Sequence, residues 1–132
     1  MSPKLSKAVI PAFLAFLLIA CGTPVIKNVD NAPIVASNPN YDLSEVTNAI
    51  QQAGISKGWQ MKEETPGHMV ATLYIRSHVA RVDITYTLDD YSITYKDSTN
   101  LKFDPVKNTI HGRYNSWVQN LKNAIDAQLS AL

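Results

Sequence analysis

The chain has 132 residues, 45% hydrophobic and 17% charged, with a formal net charge of +1. That length predicts one ordinary domain, and the balanced charge argues against a nucleic-acid binder, which would carry a surplus of Lys and Arg. Five Gly and seven Pro are too few for a low-complexity or disordered chain.

Residues Met1 to Ala20 divide into zones. Lys4 and Lys7 give a positive start with no acidic residue, and Ala8 to Ala20 is an uncharged apolar run. A membrane-spanning helix needs about 20 apolar residues, so this run is short for one. Its length and flanks fit a secretory signal segment. A buried helix of the folded protein is the competing reading, but a run apolar on every side would have to be surrounded completely.

The run ends in Leu18-Ile19-Ala20-Cys21-Gly22, which resembles a bacterial lipobox. The resemblance implies cleavage between Ala20 and Cys21, a thioether from the Cys21 sulfur to diacylglycerol, and acylation of the new amine. Sulfur is required because only a thiol is nucleophilic enough near neutral pH. Cys21 is also the only Cys, and an exported protein with one Cys has no internal disulfide to make. Gly22 in place of Asp resembles the pattern for release to the outer membrane, so the expected location is lipid-anchored there, facing the periplasm. Without Lys4 and Lys7 the chain keeps ten Lys and Arg against eleven Asp and Glu. That slightly acidic balance implies no electrostatic attachment to anionic lipid.

Residues 21–40 read as the lipidated Cys and a flexible tether. Pro24, Pro33 and Pro39 interrupt it, four Asn residues accompany them, and no helical period appears. Residues 33–37 offer at most an added edge strand. A coil of this length spans roughly 25 Å root-mean-square, enough to hold a domain off the membrane.

The globular domain is assigned to residues 41–132. Asp42-Leu43-Ser44-Glu45 has the form of a capping box, and Leu43, Val46, Ile50 and Ala53 then recur on one helical face. Gly54 and Gly58 bracket the end of this helix. Four segments of alternating polarity follow, with inward sets Trp59/Met61, Met69/Ala71/Leu73/Ile75, Ala80/Val82/Ile84/Tyr86 and Tyr91/Ile93/Tyr95. Each has the period of a half-buried antiparallel strand. Turns at Thr65-Pro66-Gly67, Ser77-His78 and Thr87 to Asp90 put all four apolar sets on one face, an agreement that a one-residue slip would destroy.

Residues 97–109 read as a long loop in which Leu101 and Phe103 tuck back. Tyr114, Trp117, Val118, Leu121, Ala124, Ile125 and Leu129 then mark a second amphipathic helix. The expected fold is α+β: a four-stranded antiparallel meander with one N-terminal and one C-terminal helix packed on one face, in the order α-β-β-β-β-α.

Candidate chemistry is sparse. His68, His78 and His111 lack metal-ligand spacing and read as solvated turn or cap residues. No Gly-x-Ser-x-Gly elbow or Gly-rich phosphate loop occurs, and Asp89-Asp90 suits a turn. No cofactor, no metal and no enzymatic activity are expected. The outward sheet residues are the one surface with character: the strand pairing aligns Tyr74, Arg81 and Lys96, with Asp83 beside them. Such a row suits a glycan, a peptide or an anionic headgroup, and it is equally the ordinary solvated face of a one-sided sheet. A second cluster is Asn100, His111, Arg113, Tyr114 and Asn115, although Tyr114 and Trp117 fit the core better.

The Tyr91-x-Ile93-x-Tyr95 strand, Asn100-Leu101, and Ile110-His111-x-x-Tyr114-Asn115-x-Trp117 together resemble small lipoproteins of Gram-negative bacteria. The likeness spans the C-terminal half of the chain and carries no catalytic or binding residue with it. The expected role is therefore a membrane-anchored, non-catalytic binding or assembly-accessory module with an envelope-protein or cell-wall partner. The alternative is direct binding of peptidoglycan fragments or lipid headgroups by the exposed sheet face.

Overall fold

The alternating segments do become strands, but there are five of them. The structure, a computed structural model, describes residues 22–132; the expected signal segment, the expected cleavage site at Ala20 and the expected lipidation site at Cys21 lie outside the described residues. The elements are β1 (Val29–Pro33), α1 (Leu43–Ser56), β2 (Gln60–Thr65), β3 (His68–Ile75), β4 (His78–Tyr86), β5 (Asp90–Thr99) and α2 (Arg113–Ser130). They form one antiparallel sheet ordered β1-β5-β4-β3-β2. The four-stranded expectation is thus corrected to β-α-β-β-β-β-α.

The additional strand comes from the stretch read as a tether. Val29 pairs with Ile93 and Ala32 with Tyr91, with a bulge between them where Asn31 takes a positive φ of 49°. Asparagine tolerates that conformation better than most residues. The Asn31 amide donates to Ser92 Oγ at 2.9 Å, and the Asn28 side chain accepts from the Tyr95 amide at 3.0 Å. Ile26 is buried, and its amide donates to the Asn108 carbonyl. Ser37 and Asn38 bond the end of α2, at Ser130 and Leu132. Side chains that composition marks as loop-forming therefore pin this segment to the domain.

The capping box of α1 forms as its sequence implies: Asp42 Oδ1 accepts from the Glu45 amide and Glu45 Oε2 from the Asp42 amide, both at 2.8 Å. The helix buries Val46, Ala49, Ile50 and Ala53, while α2 buries Tyr114, Val118, Leu121, Ile125 and Leu129. Both helices cover the sheet face carrying Met69, Ala71, Leu73, Val82, Ile84 and Ile93. Tyr91 bridges the layers, donating to Asp126 in α2, which also pairs with Lys122 at 2.7 Å. Burial, then the hydrogen bond to Asp126, raises the Tyr91 hydroxyl pKa far above its ordinary value. Among the described residues no helix is long and apolar enough to cross a membrane.

The proximal end of the sheet holds residue 22, the β3–β4 turn and the start of α2; the distal end holds the β4–β5 turn and the end of α2. At the distal β2–β3 turn, Gly67 has φ +85°, and a Cβ there would meet the Tyr86 carbonyl oxygen at 2.9 Å. Gly67→Ala is expected to cost about 1–3 kcal/mol, combining left-handed strain with backbone contact. Gly58 shares the φ of +85° but has room, its nearest atom at 3.9 Å, so Gly58→Ala is expected to cost less. Urea unfolding midpoints of the two variants check the order.

Candidate functional site

The sheet face opposite the helices is uncovered, and its strands set out the side chains in rows. Gln60, Thr72, Arg81 and Asp97 form one row, and Lys62, Val70, Asp83 and Thr94 the next. A bulge in β5 between the partners of Arg81 and Val82 leaves Lys96 unpaired in the ladder. Lys96 and Asp97 therefore both reach the open face, as their ion pairs show. The rows enclose a concavity of about 570 Å³ lined by Lys62, Glu64, His68, Val70, Thr72, Arg81 and Lys96.

The predicted row is corrected by one step. Tyr74 pairs with Val79 rather than Arg81, while Arg81 pairs with Thr72. The reason is the β3–β4 turn, which uses Arg76-Ser77 instead of Ser77-His78, with Arg76 at φ +55°. That turn position is usually Gly, so arginine gives no warning of it. The two-residue displacement preserves facing, and Arg81, Asp83 and Lys96 stay together. Tyr74, 55% exposed, lies toward the proximal end and does not line the concavity.

Asp83 is the centre of the site. The His68 Nε2–H donates to its Oδ1 at 2.7 Å, and Lys96 Nζ stands 3.8 Å from the same oxygen. Arg81 Nη1 reaches Asp97 Oδ1 at 3.5 Å, and Lys62 Nζ reaches Glu64 at 3.6 Å. These last two pairs are long and exposed, and such pairs contribute about 0–1 kcal/mol each. Their geometry leaves guanidinium and ammonium donors free to turn toward a ligand. The arrangement can bind a polar or anionic group. The face has one imidazole, already bonded to Asp83, and among the described residues no hydroxyl is hydrogen-bonded to that ring.

Sequence reasoning missed Lys62, Glu64 and His68. The same alternation that assigned Arg81 and Asp83 outward assigns these three outward too, so the signal was present. His68 is a half-buried hydrogen-bond partner of Asp83 rather than a solvated turn or cap residue. His78 and His111 meet at the proximal end with ring centroids 5.6 Å apart, and Trp117 lies 6.2 Å from His78. Each ring has a local structural bond: His78 Nδ1–H donates to the Asn100 carbonyl at 2.6 Å, and His111 Nδ1 accepts from the Arg113 amide at 3.2 Å.

The second predicted cluster separates in part: Asn100, His111 and Arg113 stay together at the proximal end, while Tyr114 and Asn115 leave it. Tyr114 is core, edge-on to Tyr95 at 5.7 Å, and burial raises its hydroxyl pKa. Asn115 instead clamps the N-terminal segment, donating to the Val25 carbonyl and accepting from the Lys27 amide, each at 3.0 Å. No family model matches the chain, and no curated protein or solved structure matches it either.

Proposed function

We propose that this protein is a lipid-anchored envelope lipoprotein whose domain is a non-catalytic binding module, with the open sheet face as its contact surface. The observation that carries the reading is the uncovered concavity, with Lys62, Arg81 and Lys96 around an acidic centre at Asp83. Two helices seal the other sheet face, so this one is free for a partner. The signal segment and the lipobox-like Leu18 to Gly22 supply the anchor, and Gly22 after Cys21 supports the outer membrane, periplasmic side. Mixed charge on the face suits an envelope component with carboxylates and amines, such as the peptide-bearing fragments of peptidoglycan.

Soluble peptidoglycan fragments titrated onto the detergent-solubilised full chain test this directly. Arg81→Glu combined with Lys96→Glu is expected to weaken binding at least about tenfold, the loss of roughly 1.4 kcal/mol. Amide shifts should map to β3, β4 and β5. Unchanged affinity in the double variant, or shifts confined to the helices, would rule out this face.

A further inference from the structure

We infer that the proximal end of the domain lies directly on the bilayer, so that the lipid anchor holds the protein in one orientation rather than on a leash. The inference rests on the lipoprotein reading above and adds a protein surface to it. Its first support is the shortness of the link. Residue 24 is already fixed: its carbonyl accepts from the Ile110 amide at 3.0 Å, and the Ile26 amide donates to Asn108 at 2.9 Å. Only Gly22 and Thr23 separate Cys21 from Pro24, a reach of roughly 10 Å even when fully extended. Thr23 and Gly22 border Lys102, His111 and Gly112. A lipidated Cys21 must therefore hold this end of the domain close to the headgroups.

The second support is what that end exposes. Val25 and Asp104 both bridge to Thr109, joining three segments of the chain in a small ladder. On it stand Val25 at 56% exposure, Phe103 at 38% and Val106 at 92%, the last at the tip of the 104–109 turn. They are three of the seven exposed large hydrophobic side chains among the described residues. Phe103 is backed by Tyr95, with ring centroids 4.4 Å apart, and Val106 is presented by a turn in which Asp104 Oδ1 accepts from the Val106 and Lys107 amides. Those two bonds hold the Asp104 carboxyl below its ordinary range.

Charge is the third support. Arg76, Lys102, Lys107 and Arg113 surround the proximal end against the single carboxylate of Asp104 in the 104–109 turn, and none of the four forms an ion pair among the described residues. The distal end carries Asp42, Glu45, Asp89 and Asp90. A nearly neutral chain is thus polarised along the strand direction, its basic, apolar end next to the anchor. Cations beside inserted apolar side chains are the pattern of interfacial binding to anionic bilayers. In this orientation the strands rise from the membrane, and the open sheet face looks sideways into the periplasm.

The test uses the full chain with its own leader, purified and reconstituted into phosphatidylethanolamine–phosphatidylglycerol vesicles. Acylation occupies the Cys21 thiol, so Val106→Cys or Leu88→Cys supplies one thiol for an environment-sensitive fluorophore. Leu88 is a distal control, 45% exposed. The Val106 label should shift to the blue and lose most of its emission to lipid-borne quenchers, while the Leu88 label keeps its aqueous spectrum. Lys102→Glu with Lys107→Glu should reverse the blue shift. An acylated protein whose Val106 label stays aqueous, or is buried only when envelope proteins are added, overturns bilayer docking and leaves the anchor standing. A protein without acyl mass overturns both.

Discussion

Truncating Tyr114 to Ala is expected to destabilise the domain by about 3–5 kcal/mol, the range for loss of a large buried aromatic side chain. Tyr114 is 1% exposed and sits where α2, β5 and the 101–110 segment converge. Its ring is edge-on to Tyr95, which in turn stacks on Phe103. Deleting it leaves a cavity and removes the support behind the proximal loop, so little relaxation is available. A domain of this size has about 5–15 kcal/mol of stability, and the variant should fall near the margin. Trp117→Ala, at a half-buried position beside His78, should lose less. Urea unfolding of residues 22–132 followed by circular dichroism gives both values. An equal or larger loss for Trp117 would misplace the core at this end.

On the proposed lipoprotein reading, replacing Cys21 by Ser is expected to have the second large effect, acting on covalent chemistry rather than folding. A serine hydroxyl is not the nucleophile that a thiol is near neutral pH, so no thioether to diacylglycerol should form. Cells expressing the variant and fed radiolabelled palmitate are expected to show no label on it, and the leader should remain uncleaved. The expected difference from wild type is all-or-none. One acyl chain gives only marginal membrane affinity, whereas two or three hold a protein nearly permanently. Palmitate incorporation equal to wild type would remove Cys21 as the attachment point.

Much of the fold is legible in the sequence, and the parts that are not have identifiable physical causes. Strict alternation set the facing of β2 to β5, and the Asp42/Glu45 capping box marked the start of α1 correctly. The Tyr86–Tyr91 and Ile84–Ile93 pairs occur as the turn length implied. β1 escaped because its five residues, Val29–Pro33, contain a bulge and a Pro, which erase the period-two pattern. Its docking relies on the Asn28 and Asn115 side chains bonding to backbone and on the Asn31 amide bonding to Ser92 Oγ, which composition cannot distinguish from a loop. The β3–β4 register escaped because Arg76 holds a conformation that the sequence would signal only through Gly or Asn.

The candidate site was legible in part for the same reason. Facing is a local property of a strand, so Arg81, Asp83 and Lys96 were found on the open face. Their neighbours depend on turns and bulges, so Tyr74 was placed one row off and His68 was overlooked. The basic proximal end was invisible for a different reason. Arg76, Lys102, Lys107 and Arg113 are dispersed along the chain and converge only where the β3–β4 turn, the 101–110 segment and the start of α2 meet. Net charge, which is all that composition reports, averages them with the acidic distal end.

The intact mass of the mature protein extracted from membranes tests the anchored domain most directly. The expected species begins at Cys21 and carries a diacylglyceryl group with a further acyl chain on its amine. A mature chain that begins at another residue, at the mass of its unmodified sequence, would contradict it.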